Sequence, residues 1–100
     1  MNNLEMAIFF DKINNLRTKP KGKYNIADIS VSYCYEMSLG KTHVLSERSI
    51  ADIRYPNAPY SYRLRVENIV SANKKTLQYD GDGMLARAVF ETLNAKERGR

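Results

Sequence analysis

The stretch Ile29-Ser30-Val31-Ser32-Tyr33-Cys34-Tyr35-Glu36-Met37 decides the fold. Ile29, Val31, Tyr33, Tyr35 and Met37 recur at every second position, with Ser30, Ser32, Cys34 and Glu36 between them. Successive side chains of an extended chain point to opposite faces, so this period makes a β-strand with one apolar face. A second stretch repeats the pattern, with Tyr60, Tyr62, Leu64 and Val66 on one face and Ser61, Arg63, Arg65 and Glu67 on the other. It is a half-buried strand with a charged outer face, the pattern of an antiparallel sheet covered on one side.

Between the two strands, Leu39-Gly40-Lys41 offers a turn, and residues 42–46 return as a short antiparallel strand. Residues 47–55 are ambiguous, because Ile50 and Ile53 fit a helical turn while the flanks also suit an extended chain. Pro56-Asn57-Ala58-Pro59 is a loop by composition. Beyond the second strand, Ser71-Ala72-Asn73-Lys74-Lys75 reads as a hairpin connection and residues 76–79 as the returning strand.

Helices close both ends. Asn2 with Glu5 three residues later resembles a capping box, and Met6, Phe9, Phe10, Ile13 and Leu16 follow at helical spacing, predicting a helix over 3–17. Pro20 and Gly22 end it, leaving 17–23 as a basic, exposed connection. Asp82 is a good N-cap for a last helix that lines up Leu85, Ala88, Val89, Thr92 and Leu93, with Lys96, Arg98 and Arg100 at the end favoured by the helix dipole. Connections this short argue against a parallel sheet, whose crossovers need about a dozen or more residues. The expected fold is α+β, a three- or four-stranded antiparallel sheet with the N- and C-terminal helices packed on one face.

Composition is consistent with that expectation. A chain of 100 residues, 43% hydrophobic and 27% charged, is one domain, 1–100, with enough apolar surface for a core. The run Met6-Ala7-Ile8-Phe9-Phe10 is far short of the roughly 20 apolar residues that cross a bilayer. Neither a leader peptide nor a membrane partner is expected. Cys34 is the sole cysteine and no Asn-x-Ser/Thr acceptor occurs, which fits a reducing cytoplasm. Sixteen Lys and Arg against eleven Asp and Glu give a net charge of +5, a balance that attracts anionic partners and also serves solubility.

Three motifs mimic chemistry and fail on their details. Gly40-Lys41-Thr42 ends like a phosphate-binding loop, but Tyr35 stands where the leading glycine belongs. Asp80, Asp82 and Glu91 match three positions of a calcium loop, but Met84 and Leu85 occupy the places of a polar ligand and an obligatory glycine. Cys34 and His43 lie on neighbouring strands without a third orienting group, and one Cys with one His does not make a zinc site. No catalytic residue, metal or cofactor is expected.

Seven tyrosines are the unusual feature. Tyr33, Tyr35, Tyr60 and Tyr62 lie on the apolar strand faces, where they either face the helices as core or, if bare, form stacking platforms for single-stranded nucleic acid. Core is the preferred reading. The candidate partner- or phosphate-binding residues are Lys19, Lys21 and Lys23 in the first connection, with Arg54, Arg63, Arg65, Lys74 and Lys75.

The run Arg65-Val66-Glu67-Asn68-Ile69-Val70, the hairpin-like Ser71 to Lys75, the short strand to Tyr79, an Asp-containing turn and the closing amphipathic helix resemble the corresponding part of a small type I-F anti-CRISPR protein. The resemblance covers the C-terminal third, and the same tail is similar to many short phage and prophage proteins. It implies a non-enzymatic phage or mobile-element accessory protein, acting in the cytoplasm of a bacterial host by binding a host or defence-system protein and blocking it sterically. The positive charge departs from inhibitors that mimic nucleic acid with acidic surfaces. A basic nucleic-acid-binding module is the alternative, and a homodimer through an open sheet edge is compatible with either.

Overall fold

The computed structural model of the chain describes residues 3–68, 75–80 and 83–99, with the side chains of 7–67 and 83–99. Two helices, α1 (Asn3–Asn14) and α2 (Met84–Glu97), flank five strands: β1 (Gly22–Ala27), β2 (Ser30–Leu39), β3 (Thr42–Ile50), β4 (Ser61–Asn68) and β5 (Lys75–Asp80). Strand order follows chain order, and every neighbouring pair is antiparallel, so the sheet is an open meander with β1 and β5 at its edges. The expected α+β class, antiparallel sheet and terminal helices are all present. The three or four anticipated strands become five with β1, in a stretch whose beginning reads as connection because Pro20 precedes it and Gly22 opens it.

The ladder fixes which residues share a face. Tyr33 and Tyr35 on β2 align with Arg48 and Ser46 on β3, and these with Tyr62 and Leu64 on β4. This inner face carries the core: Tyr35, Val44, Leu64 and Val66 from the sheet, Phe9 and Ile13 from α1, and Ala86, Val89, Phe90 and Leu93 from α2. The buried face of α2 centres on Ala86, Val89, Phe90 and Leu93, a slight rotation from the sequence expectation, with Leu85 packed at its margin. Both helices therefore lie on one side of the sheet. The opposite face, with Lys23, Cys34, Glu47 and Arg63 across one row, has no described element over it.

Phe90 organises the inner layer. Its ring meets those of Tyr33, Tyr35 and Tyr62 at centroid distances of 6.4, 5.4 and 6.0 Å. Burying a Phe contributes about 2–3 kcal/mol and each favourable ring pair about 0.5–1.5 kcal/mol more. That exceeds what helix propensity supplies over fourteen residues of mixed composition, so packing sets the place of α2.

Local chemistry explains the element ends. α1 stops at Asn14, where the Asn15 amide group bonds back to the Asp11 carbonyl, three residues short of the sequence expectation. Gly40 takes φ +62° in the two-residue turn between β2 and β3, a conformation that glycine adopts without strain. Asp28 does the same at φ +56° between β1 and β2, as an aspartate tolerates. β3 runs on to Ile50, which settles the first part of the ambiguous 47–55 segment as strand. Gly83 occupies the N-cap of α2. The anticipated caps Asn2 and Asp82, and the 69–74 connection, lie outside the described residues.

A candidate tyrosine–arginine face

α2 crosses the sheet obliquely. Arg87 in its second turn stands over the Tyr62 ring on β4, while Glu97 at its end reaches β1 and β2. Beyond that crossing, the inner face of the sheet continues uncovered toward the β1–β2 turn and the 51–60 loop. The row Tyr24, Tyr33, Arg48 and Tyr62 marks the margin, exposed at Tyr24 and buried beneath α2 at Tyr62, and Ile26, Val31 and Ile50 form the next row out. The Ile53 amide donates to the Ile29 carbonyl at 2.8 Å, which folds the loop against that end of the sheet. Ile53, Tyr55, Tyr60, Tyr24 and Ile26 all present large apolar surface to solvent.

Arg48 lies at the centre. Its position continues the inward series Val44, Ser46, Arg48 on β3, so its aliphatic stem enters the core layer. The guanidinium carbon is 4.4 Å from the Tyr60 ring centroid and 4.9 Å from that of Phe90, held between two aromatic rings. Among the described residues no carboxylate pairs with it. Arg87 lies 5.8 Å from the Tyr62 ring and bonds Glu91 at 3.0 Å. Pro59, Tyr60, Tyr62 and Arg87 line a shallow cleft beside it.

A carboxylate clasp locks the α2 end of this face. Glu97 accepts the Tyr33 hydroxyl at 2.6 Å and the Gly22 amide, and the Tyr35 hydroxyl points between Asn94 Oδ1 at 2.9 Å and Glu97 Oε1 at 3.1 Å. These donors, with the Tyr33 hydroxyl foremost, hold the Glu97 carboxyl below the usual range. Bonding to that carboxylate pushes the Tyr33 phenol up, and burial does the same to Tyr35 more strongly.

The tyrosines thus divide. Tyr35 and Tyr62 are core, and Tyr33 packs against it. Tyr60, just ahead of β4, is 40% exposed and serves as the outer wall for Arg48.

The cations singled out in the sequence do not gather at this site. Lys19 and Lys21 are exposed on the connection before β1. Lys23 lies on the outer face with Arg63, separated from it by Cys34 and Glu47, and Arg65 lies one row along beside Leu45 and Glu36. Arg54 is paired bidentately with Asp52 at 2.6–3.1 Å. Lys75 opens β5 opposite Asn68, its side chain undescribed, and Lys74 lies outside the described residues. Sequence reasoning overlooked Arg48, although extending the period of two from Thr42 places residue 48 on the tyrosine face.

Cys34 and His43 are two ladder rows apart. His43 bonds Glu36 at 3.0 Å, and the Cys34 sulfur receives the Asn25 amide at 3.2 Å. Among the described residues no helix is long and apolar enough to cross a membrane. No protein-family model matches the chain, and no curated protein or solved structure matches it either.

Proposed function

We propose that this chain is a small, non-enzymatic binding protein that acts by covering a protein partner through the tyrosine–arginine face. One observation carries the reading: Arg48, half-buried at the margin of the core, is held between the exposed Tyr60 and the buried Phe90, with no carboxylate paired to it among the described residues. Tyrosine and arginine dominate the energetics of protein interfaces because they combine large buried area with directional polar groups. An arginine already fixed by aromatic walls loses little side-chain freedom when it docks.

The narrower role belongs to the same proposal. An inhibitor of a bacterial defence system, encoded by a phage or mobile element and acting in the cytoplasm, is supported by the resemblance of the C-terminal third alone. The nucleic-acid alternative draws on the same Arg48 and Tyr60.

Affinity capture separates these readings. Immobilised wild-type chain is expected to retain a stoichiometric protein from bacterial lysate at both low and moderate salt, with a purified type I-F defence complex as the first defined candidate. Tyr60→Ala and Arg48→Met, checked for unchanged thermal unfolding, are each expected to weaken that binding by about 2 kcal/mol, roughly 30-fold. Recovery of no protein partner, or of one that both variants hold as tightly, rejects the reading. Retention of nucleic acid alone favours the alternative.

A further inference from the structure

β1 is an edge strand whose outer main-chain groups can be assigned. The two-residue turn Asp28-Ile29 closes on the Ala27–Ser30 pair, so the amide and carbonyl groups of Ala27, Asn25 and Lys23 face β2. Those of Gly22, Tyr24 and Ile26 point away from the sheet. The Gly22 amide accordingly donates to Glu97 instead of to β2. The outward groups of Tyr24 and Ile26 lack any such cover among the described residues.

The side chains make this edge unusual. Tyr24 is 69% and Ile26 73% exposed, both on the inner face. Edge strands are ordinarily guarded by several lysines or other charges, proline, bulges or inward-pointing charges. Within Gly22–Ala27 there is no proline, and the one charge, Lys23, lies on the opposite face.

We infer that two copies of the chain pair antiparallel through their β1 edges, about a two-fold axis at Asn25, to form one ten-stranded sheet. In that register Tyr24 stands opposite the partner subunit's Ile26, and Ile26 opposite the partner subunit's Tyr24. Both pairs exchange two main-chain hydrogen bonds, so all four outward groups of Tyr24 and Ile26 are satisfied. Each is also an aromatic–β-branched cross-strand pair, a favoured combination. Gly22 falls opposite the partner subunit's Asp28, outside the ladder, which leaves the Glu97–Gly22 bond intact in both copies. The ends carry opposite charges, because Asp28 of one copy falls at the level of Gly22, with Lys21 and Lys23 on either side of it along the other strand. No like charges face each other, since Lys23 meets the partner subunit's Ala27. Centring the axis on Tyr24 instead would set Gly22 against the partner subunit's Ile26 and require the Gly22 amide that Glu97 occupies.

Sedimentation equilibrium from about 1 µM to about 1 mM tests the pairing. A reversible monomer–dimer equilibrium is expected, with Ile26→Lys raising the dissociation constant at least about tenfold while leaving thermal unfolding of the monomer unchanged. A purely monomeric chain across the range, or a dimer indifferent to Ile26→Lys, overturns the inference. The register is tested separately, in a Cys34→Ser background shown by circular dichroism to remain folded. Asn25→Cys at the axis is expected to form a disulfide-linked dimer under mild oxidation and Lys23→Cys is not, because only the first brings two sulfurs within bonding reach. The opposite result rejects the register. Arg48→Met leaves this equilibrium unchanged, so dimerisation and partner capture fail independently.

Discussion

At the scale of single residues, Glu97 carries the clearest consequence. Its carboxylate accepts two phenols and a backbone amide, and each donor favours the ionised form. A carboxyl held below its ordinary value contributes stability that is present above that value and lost as pH falls through the depressed one. Tyr33 and Tyr35, both raised above 10.0, contribute stability that is complete below that value and lost as pH climbs past it. Urea unfolding across pH 3 to 11 is expected to give a plateau with shoulders on both sides. Glu97→Gln should lower the plateau by about 1–3 kcal/mol and flatten the acid shoulder. An unchanged acid limb in that variant would show that other carboxylates govern it. Neither Glu97 nor its partners could be linked from sequence, because 64 and 75 residues separate Glu97 from Tyr33 and Gly22. Tyr35 and Tyr62, by contrast, were legible as core, since their alternation with apolar neighbours left only the covered face open to them.

At the scale of elements, β1 depends on close approach. A Cβ added at Gly22 would fall within the van der Waals envelope of the Tyr33 ring, whose hydroxyl is tied to Glu97 and which packs in edge-to-face pairs with Tyr24 and Tyr35 at centroid distances of 4.5 and 5.4 Å. The ring has little room to yield. Gly22→Ala is therefore expected to destabilise the chain by about 1–3 kcal/mol, by overpacking and not by a left-handed backbone. Calorimetry checks this, and a neutral result would mean that the ring can swing aside. The same glycine explains why the strand was hard to read, because after Pro20 it looks like a second break. Residues 47–50 were obscured for a different reason. Ser46 and Arg48 place polar groups at inward positions, which interrupts the hydrophobic period on which strand recognition rests. Arg48 disguises the strand and occupies the centre of the candidate site for one cause: a long stem that packs as apolar and a head that stacks on rings. β2 and β4 had no such interruption.

At the scale of the whole molecule, the net charge of +5 is spread out. On the open sheet face Lys23, Arg63 and Arg65 alternate with Glu36, Glu47 and Glu67, while Lys19 and Lys21 lie on a connection and Arg54 is neutralised by Asp52. Few phosphates can be contacted together. Anisotropy titration with a single-stranded oligonucleotide is expected to give weak binding, with a slope of log affinity against log salt shallower than about −2, at about −0.7 per phosphate. A steeper slope would revive the nucleic-acid reading. The meander has a further consequence for how the chain is made. Since every strand pairs with its immediate successor, the sheet can be assembled hairpin by hairpin as the polypeptide leaves the ribosome. The clasp from Glu97 to Gly22 is different, because it joins the end of α2 to a strand that precedes it by 75 residues. During translation β1 must wait, unlatched, for the helix that fastens it, and nascent chains on one messenger have that interval in which to meet.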